Sequence, residues 1–423
     1  MGRNSSKITA VVAGVALSFT GCSKTSSDAA SVAAAKKLYI ASGQCNSGVG
    51  VTSFGTQNSS RRISRLDLAS NQLDVLLDLT VPYVGGTFGI DTGVQGLVND
   101  GKNVFMLTEN AVAMSDRKIY SIPKASSFNT QIYSQDPLAL TQTAAHITRS
   151  LVKDADGTFL FSKSIAVEKI GINTLRIPQA ANPWVNAPAA PCAVSATFMS
   201  ATAVLPPFTG TTSGKIVFAH ADSTAAGNRL GIINADGYSV AANCLSGVQI
   251  NLITHNYASN VTGPVVAFAA TGAVPTAMVF IPTGPAPGVI GKMIVAYSSS
   301  VVSETSNNVN LNFAIVSWDV TETTVSAATL TNPIILSRQL DAVFGISALA
   351  YDPTDKSLYV ATASQTGVMN QTTAGYGYKI EKFTLDLAAT PTATATIVRV
   401  NNLPFMERTA GTKCITSMVL GDE

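Results

Sequence analysis

Charge is scarce in this chain. Charged side chains make up 12% of its 423 residues, and the formal net charge is +2. So even a balance implies no strongly basic face, and nucleic acid is not an expected partner. Histidine is scarcer still, with only His146, His220 and His255. The cysteines contain no Cys-x-x-Cys pair, and with so few histidines a zinc site is not expected. No serine stands in a Gly-x-Ser-x-Gly context, so no nucleophile elbow is visible. The second half of the chain lacks any uninterrupted apolar run of about 18 residues, so no membrane-spanning helix is expected there. Ser, Thr, Val, Ala and Gly abound instead, a composition unlike that of a helical protein.

The N-terminus is the most readable part. Arg3 and Lys7 form a short positive segment, and Ile8 to Phe19 follow as an apolar run broken by Thr9, Gly14 and Ser18. The run falls short of the about 20 residues a spanning helix takes, and it matches the hydrophobic region of a signal peptide. Leu17-Ser-Phe-Thr-Gly-Cys22 comes next. This segment resembles the lipobox of bacterial lipoproteins, in which small residues precede a cysteine whose thiol receives a diacylglyceryl group. Thr20 and Gly21 match the small positions, while Phe19 departs from the usual leucine. The resemblance implies cleavage before Cys22, lipid (palmitate among its acyl chains) at that residue, and a place on a membrane of the bacterial cell envelope. Ser23 in place of aspartate points, by the same resemblance, to the outer membrane, with the chain on its periplasmic or external side. The alternative is an ordinary secretory signal with an incidental cysteine. Ser23 to Ala35 is rich in Ser, Ala and Lys without apolar periodicity, the composition of a flexible tether. The expected organisation is a signal peptide over 1–21, a tether over 22–36 and a folded domain over 37–423.

A repeat runs along that domain. Its unit is an apolar strand, a turn, a second apolar strand ending in small residues, a loop, and a strand of basic–apolar alternation. The clearest copy is Ser347 to Thr362 followed by Tyr378 to Asp386, with Asp352-Pro353 and Asp355-Lys356 as turn signals. Leu358 and Val360 are spaced with the period of two that a strand needs. Other copies are Gly96 to Leu107 with Arg117 to Ile122, Ser150 to Phe161 with Glu168 to Ile172, Lys215 to Ala219 with Arg229 to Ile233, and Ala277 to Ile281 and Lys292 to Tyr297 with Phe313 to Asp319. The Asp-Gly pairs at 100–101 and 156–157 signal tight hairpins. Lys37 to Ser42 and Arg62 to Asp67 form a second and third strand without a first, and Cys414 to Leu420 form a first strand without a second. Together they complete one unit. Closing a ring with strands from both termini resembles the velcro of β-propellers, and it removes an open sheet edge. The expectation is an all-β propeller of six blades. Seven or eight remain an alternative, with 249–270 hiding a further blade, and so does a β-sandwich or solenoid.

Four cysteines remain after Cys22, and an even number in an exported chain suggests two disulfides. Cys192 and Cys244 flank one repeat copy, while Cys45 and Cys414 fall at adjacent strand ends of the closing unit. Pairing within each couple is expected. Phe218-Ala-His-Ala-Asp222 places His220 and Asp222 on one side of a strand, where they could orient an imidazole or line a loop. Trp184 sits in a Pro/Ala-rich loop, as a partner anchor or a loop tryptophan folded over a blade edge. Two functions compete. The first is a binding or scaffold module at the envelope, held by the lipid on Cys22, with an envelope protein or cell-surface ligand as partner and no cofactor. The second is a channel hydrolase. Six-bladed propellers include calcium-dependent lactonases, and that resemblance would draw calcium and residues such as Asp91, Asn99, Glu109 and Asp222 to the central channel. Asp100, Asp154, Asp156, Asp352 and Asp355 read as turn formers.

Overall fold

The computed structural model describes residues 36–44, 62–89, 92–110, 115–135, 149–153, 159–163, 166–170, 184–185, 198–205, 215–221, 229–234, 251–254, 273–286, 288–299, 313–324, 327–337, 345–365, 376–387, 396–403 and 413–422. These residues form 24 strands in six four-stranded antiparallel sheets. The first sheet holds β1 (Lys36–Gln44), β2 (Arg62–Asp67) and β3 (Leu73–Asp78). The second holds β4 (Thr92–Asn99), β5 (Asn103–Asn110), β6 (Ser115–Pro123) and β7 (Gln131–Gln135). The third runs β8 (Arg149–Lys153), β9 (Phe159–Lys163), β10 (Ala166–Ile170) and β11 (Trp184–Val185). The fourth runs β12 (Phe198–Val204), β13 (Lys215–Ala221), β14 (Arg229–Asn234) and β15 (Asn251–Thr254). The fifth runs β16 (Ala273–Ala286), β17 (Val289–Ser299), β18 (Phe313–Thr324) and β19 (Ala327–Ser337). The sixth runs β20 (Gly345–Asp352), β21 (Ser357–Gln365), β22 (Tyr376–Asp386) and β23 (Thr396–Leu403). The last strand, β24 (Lys413–Asp422), returns to the first sheet and pairs with β1.

The ring closes. Leading strands touch in the order β24, β4, β8, β12, β16, β20 and back to β24. Six sheets joined in a cycle through their first strands make a six-bladed propeller. No gap between leading strands is left for a seventh blade, and neither a two-sheet sandwich nor an open solenoid gives such a cycle. The stretch that the alternative gave to a further blade contributes β15, the outer strand of the fourth blade, while 255–272 lies outside the described residues. The velcro expectation holds in detail, with Leu38 opposite Leu420 and Ile40 opposite Met418.

The core lies between blades rather than within one. Leu38, Ile40 and Ile415 pack with Tyr359, Ala361 and Ile380 of the sixth blade. Tyr39, Ile63 and Leu77 turn the other way, onto Val94, Met106 and Tyr120 of the second. A strand with neighbours on both faces has no solvent side, so its sequence need not alternate. The period of two expected at Leu358 and Val360 is kept in the facing: these two pack with Ile294 and Ala296 of the fifth blade while Tyr359 and Ala361 pack with Leu38 and Ile40 of the first, so all four are buried. The turn chemistry is as expected. The Asp100 carboxylate accepts from the backbone N–H of Lys102 at 3.0 Å and of Asn103 at 2.7 Å, and Gly101 takes a positive φ of 94°. Asp352 accepts from Thr354 N–H at 2.8 Å, and Asp355 from Ser357 N–H at 3.1 Å. Asp154 and Asp156 lie outside the described residues.

Candidate functional site: the inner-strand ring and the two faces

Every leading strand carries the same irregularity. Its pairing with the second strand skips one residue, which is Thr416 in β24, Gln95 in β4, Ser150 in β8, Ser200 in β12, Thr276 in β16 and Ser347 in β20. Each is a one-residue β-bulge, a device that bends the strand and re-aims a side chain. Five of the six positions hold Ser or Thr, and the sixth holds Gln. Two of these side chains are described. Thr416 Oγ1 donates to the Val94 carbonyl at 2.7 Å, crossing from the first blade to the second beside that blade's own bulge. Gln95 is buried, and its Oε1 accepts no hydrogen bond among the described residues. The seam is sewn further by Leu97 N–H donating to Ser417 Oγ at 3.1 Å and by Asn99 Nδ2 donating to the Leu420 carbonyl at 2.9 Å. Sequence reading missed this ring. Its trace is a hydroxyl or amide residue and then, at most copies, a small residue and Leu or Met, as in Gln95-Gly-Leu, Thr276-Ala-Met, Ser347-Ala-Leu and Thr416-Ser-Met.

The disc has two distinct faces. Lys36, Asp422 and the turn between β4 and β5 share one of them, here the tether face. Gln44 and Lys413 lie at the other, the far face. At the tether face lie the turns 100–102 and 353–356 between first and second strands, and the ends of the strands that flank 171–183 and 235–250. At the far face lie the ends of the strands that flank 45–61, 136–148, 186–197, 255–272, 300–312 and 366–375. Lys36, the first described residue, pairs its Nζ with the buried Asp352 carboxylate of the sixth blade.

The residues singled out from sequence are scattered rather than gathered. His220 is in β13, a second strand, in register with Met199 and Arg229 and away from the inner ring. Asp222, His146, His255 and Asp91 lie outside the described residues. Trp184 is not in a loop: it opens β11, the outer strand of the third blade, opposite Ile170. Edge pairing with β10 recruited a two-residue strand that the Pro/Ala-rich context concealed. Asn99 is engaged with backbone, since its Oδ1 also accepts from Gly101 N–H at 3.1 Å. Glu109 is in β5, again a second strand. Cys414 pairs in register with Gly43, two residues before Cys45. Cys22, Cys45, Cys192 and Cys244 lie outside the described residues. Sequence placed Cys192 and Cys244 at the two ends of one copy.

Neither a family model nor a curated protein matches this chain. Solved structures similar to it include TolB from Acinetobacter baumannii, at 10% identity and a TM-score of 0.42, covering 92% of this chain and 67% of that one. The β-propeller domain of Myceliophteria thermophila Cps50 (Swd1) is similar at 10% identity and a TM-score of 0.41, covering 88% and 90%. Kuenenia stuttgartiensis hydrazine synthase is similar at 12% identity and a TM-score of 0.40, covering 82% and 81%. The assignment of this chain as a six-bladed β-propeller rests on its own strand order and ring closure.

Proposed function

We propose that this chain is a lipid-anchored propeller of the bacterial envelope that binds a partner, an envelope protein or cell-surface ligand, on its far face. One observation carries the reading. The segment that follows Cys22 joins the disc at Lys36, on the tether face, while the connections 45–61, 255–272 and 300–312 leave from the opposite side. An anchor on Cys22 turns the tether face toward the membrane and presents the far face outward. Loops held on a rigid scaffold are where recognition concentrates. The bulged inner ring supports the same reading, because hydrogen bonds such as that from Thr416 to Val94 fix blade to blade.

The test begins with the anchor. Chain extracted from membranes should carry a diacylglyceryl group at Cys22 by intact-mass analysis, and Cys22→Ser should move it to the soluble fraction. An unmodified mature N-terminus would sink the reading. Cross-linking in intact envelopes, from positions within 300–312 and within the 353–356 turn, should then capture partner from the first and not the second.

A further inference from the structure

We infer that the tether-face rim of the first two blades is a membrane-docking surface, seated at the lipid interface by Leu73, Val84, Phe128 and Ile132. The inference rests on the anchor proposed above and adds the orientation of the anchored disc. These are four of the six exposed large apolar side chains among the described residues: Phe128 is 68% exposed, Val84 56%, and Leu73 and Ile132 41% each, while Val75 lies further along β3 and Val81 just past its far-face end. Three of them are knit together. Val84 N–H donates to the Phe128 carbonyl at 3.3 Å, which joins the segment after β3 to the link between β6 and β7. Tyr83, beside Val84, meets the Tyr120 ring edge-on with centroids 5.6 Å apart, and Ile132 is in register with Tyr120. Phe88 completes that aromatic group, 4.6 Å from Tyr83 and 5.0 Å from Tyr120. The exposed side chains therefore stand on a packed base.

Position selects a lipid surface as the occupant. Leu73 lies at the tether-face end of β3, opposite Leu66, which is opposite Leu38. Two strand spacings place it roughly 10 Å from the root of the tether. Residues 23–35 separate Cys22 from Lys36. A flexible coil of that length spans about 20 Å, and even fully extended it reaches only about 50 Å. An acylated Cys22 thus holds this rim beside the bilayer at high effective concentration, where exposed apolar side chains partition into the interface.

The test uses the full acylated chain in vesicles of phosphatidylethanolamine and phosphatidylglycerol with brominated acyl chains as quenchers. Phe128→Trp reports on the rim, and Thr80→Trp reports on the far-face end of β3. After subtraction of the native tryptophans, emission from Phe128→Trp should fall about 2-fold or more on brominated vesicles while that from Thr80→Trp stays unchanged. Equal quenching at both positions, or none at residue 128, would overturn the docking. The pair is read again with Cys22→Ser and six histidines placed just before that residue, on vesicles bearing a nickel-chelating lipid. Quenching at residue 128 there, with no acyl group on the native chain, keeps the docking and removes the anchor. An acylated chain without position-specific quenching keeps the anchor and removes the docking. A dimer of the Cys22→Ser chain that Phe128→Asp dissolves would assign the rim to a second copy and overturn the proposal.

Discussion

Valine at position 416 keeps the shape of threonine and deletes one hydroxyl, which makes Thr416→Val a clean probe of the bulged ring. Thr416 Oγ1 donates to the Val94 carbonyl at 2.7 Å, and at 3.4 Å to that of Ala41. Val94 and Ala41 are fully buried, and Thr416 is half-buried. A neutral hydrogen bond contributes about 1 kcal/mol net, and leaving a buried acceptor without its donor costs about 1–3 kcal/mol. Partial exposure of Thr416 lets water relieve some of that loss, so the expected destabilisation is about 1–2 kcal/mol. The readout is the urea midpoint at unchanged slope, accompanied by a Tm lower by about 1–3 °C, since the shift per kcal/mol shrinks as a domain grows. Thr416→Ser keeps the donor and should recover most of the loss. If Thr416→Val matches wild type, or Thr416→Ser is as damaging as Thr416→Val, the bond does not weld the blades and the ring has another role.

Further expectations follow from the same contacts. Asp67 is held below the usual carboxylate range by the Ser70 N–H and then by Lys37, and Asp74 by its hydrogen bond from Arg65. At Asp355, burial pushes the pKa up, but the hydrogen bonds from Lys382 and Ser357 and the Lys382 charge together outweigh it, so its carboxyl is lowered too. Lowered folded-state values give stability that is present above the unfolded pKa of about 4 and lost as pH falls through the folded ones; Tm by circular dichroism should therefore hold from neutrality to about pH 4.5 and fall below about pH 4. Gly291→Ala should destabilise by about 1–3 kcal/mol in urea, because an added Cβ would lie 2.6 Å from the Ile281 carbonyl oxygen and 2.5 Å from the Phe280 ring. Peptide mapping without reduction should find Cys45 joined to Cys414 and Cys192 joined to Cys244. Cys414→Ser should lower Tm under oxidising conditions and change little with reductant present. Free thiols at those positions, or equal effects in both conditions, would reject the bonds.

Much of the frame was legible because it is local. Asp100-Gly101 and Asp352-Pro353 make turns from their own backbone preferences, and the apolar strands around Tyr39, Met106 and Tyr359 are written as short hydrophobic runs. Even the closure could be read, since Cys414 to Leu420 and Lys37 to Ser42 were each incomplete alone. The outer strands were not legible. In β3, Leu73 and Val75 are exposed while Leu76 and Leu77 are buried, so no period of two survives; β11 is two residues long and exists only through its pairing with β10. A strand at a blade's rim has one partner and few buried contacts, so its formation is decided by its neighbour. The ring of bulges was hidden for a related reason. A bulge is a property of register between two strands, and no single strand's sequence contains it. Phe128 and Val84 likewise became one surface only when the segment after β3 met the link between β6 and β7, two pieces of chain that share no pattern. Sequence alone determined the signal-like N-terminus, the all-β class and the closing unit. Tertiary structure decided which hydroxyls cross between blades, and at which face of the ring β1 begins, because both depend on how strands distant in the chain are laid side by side.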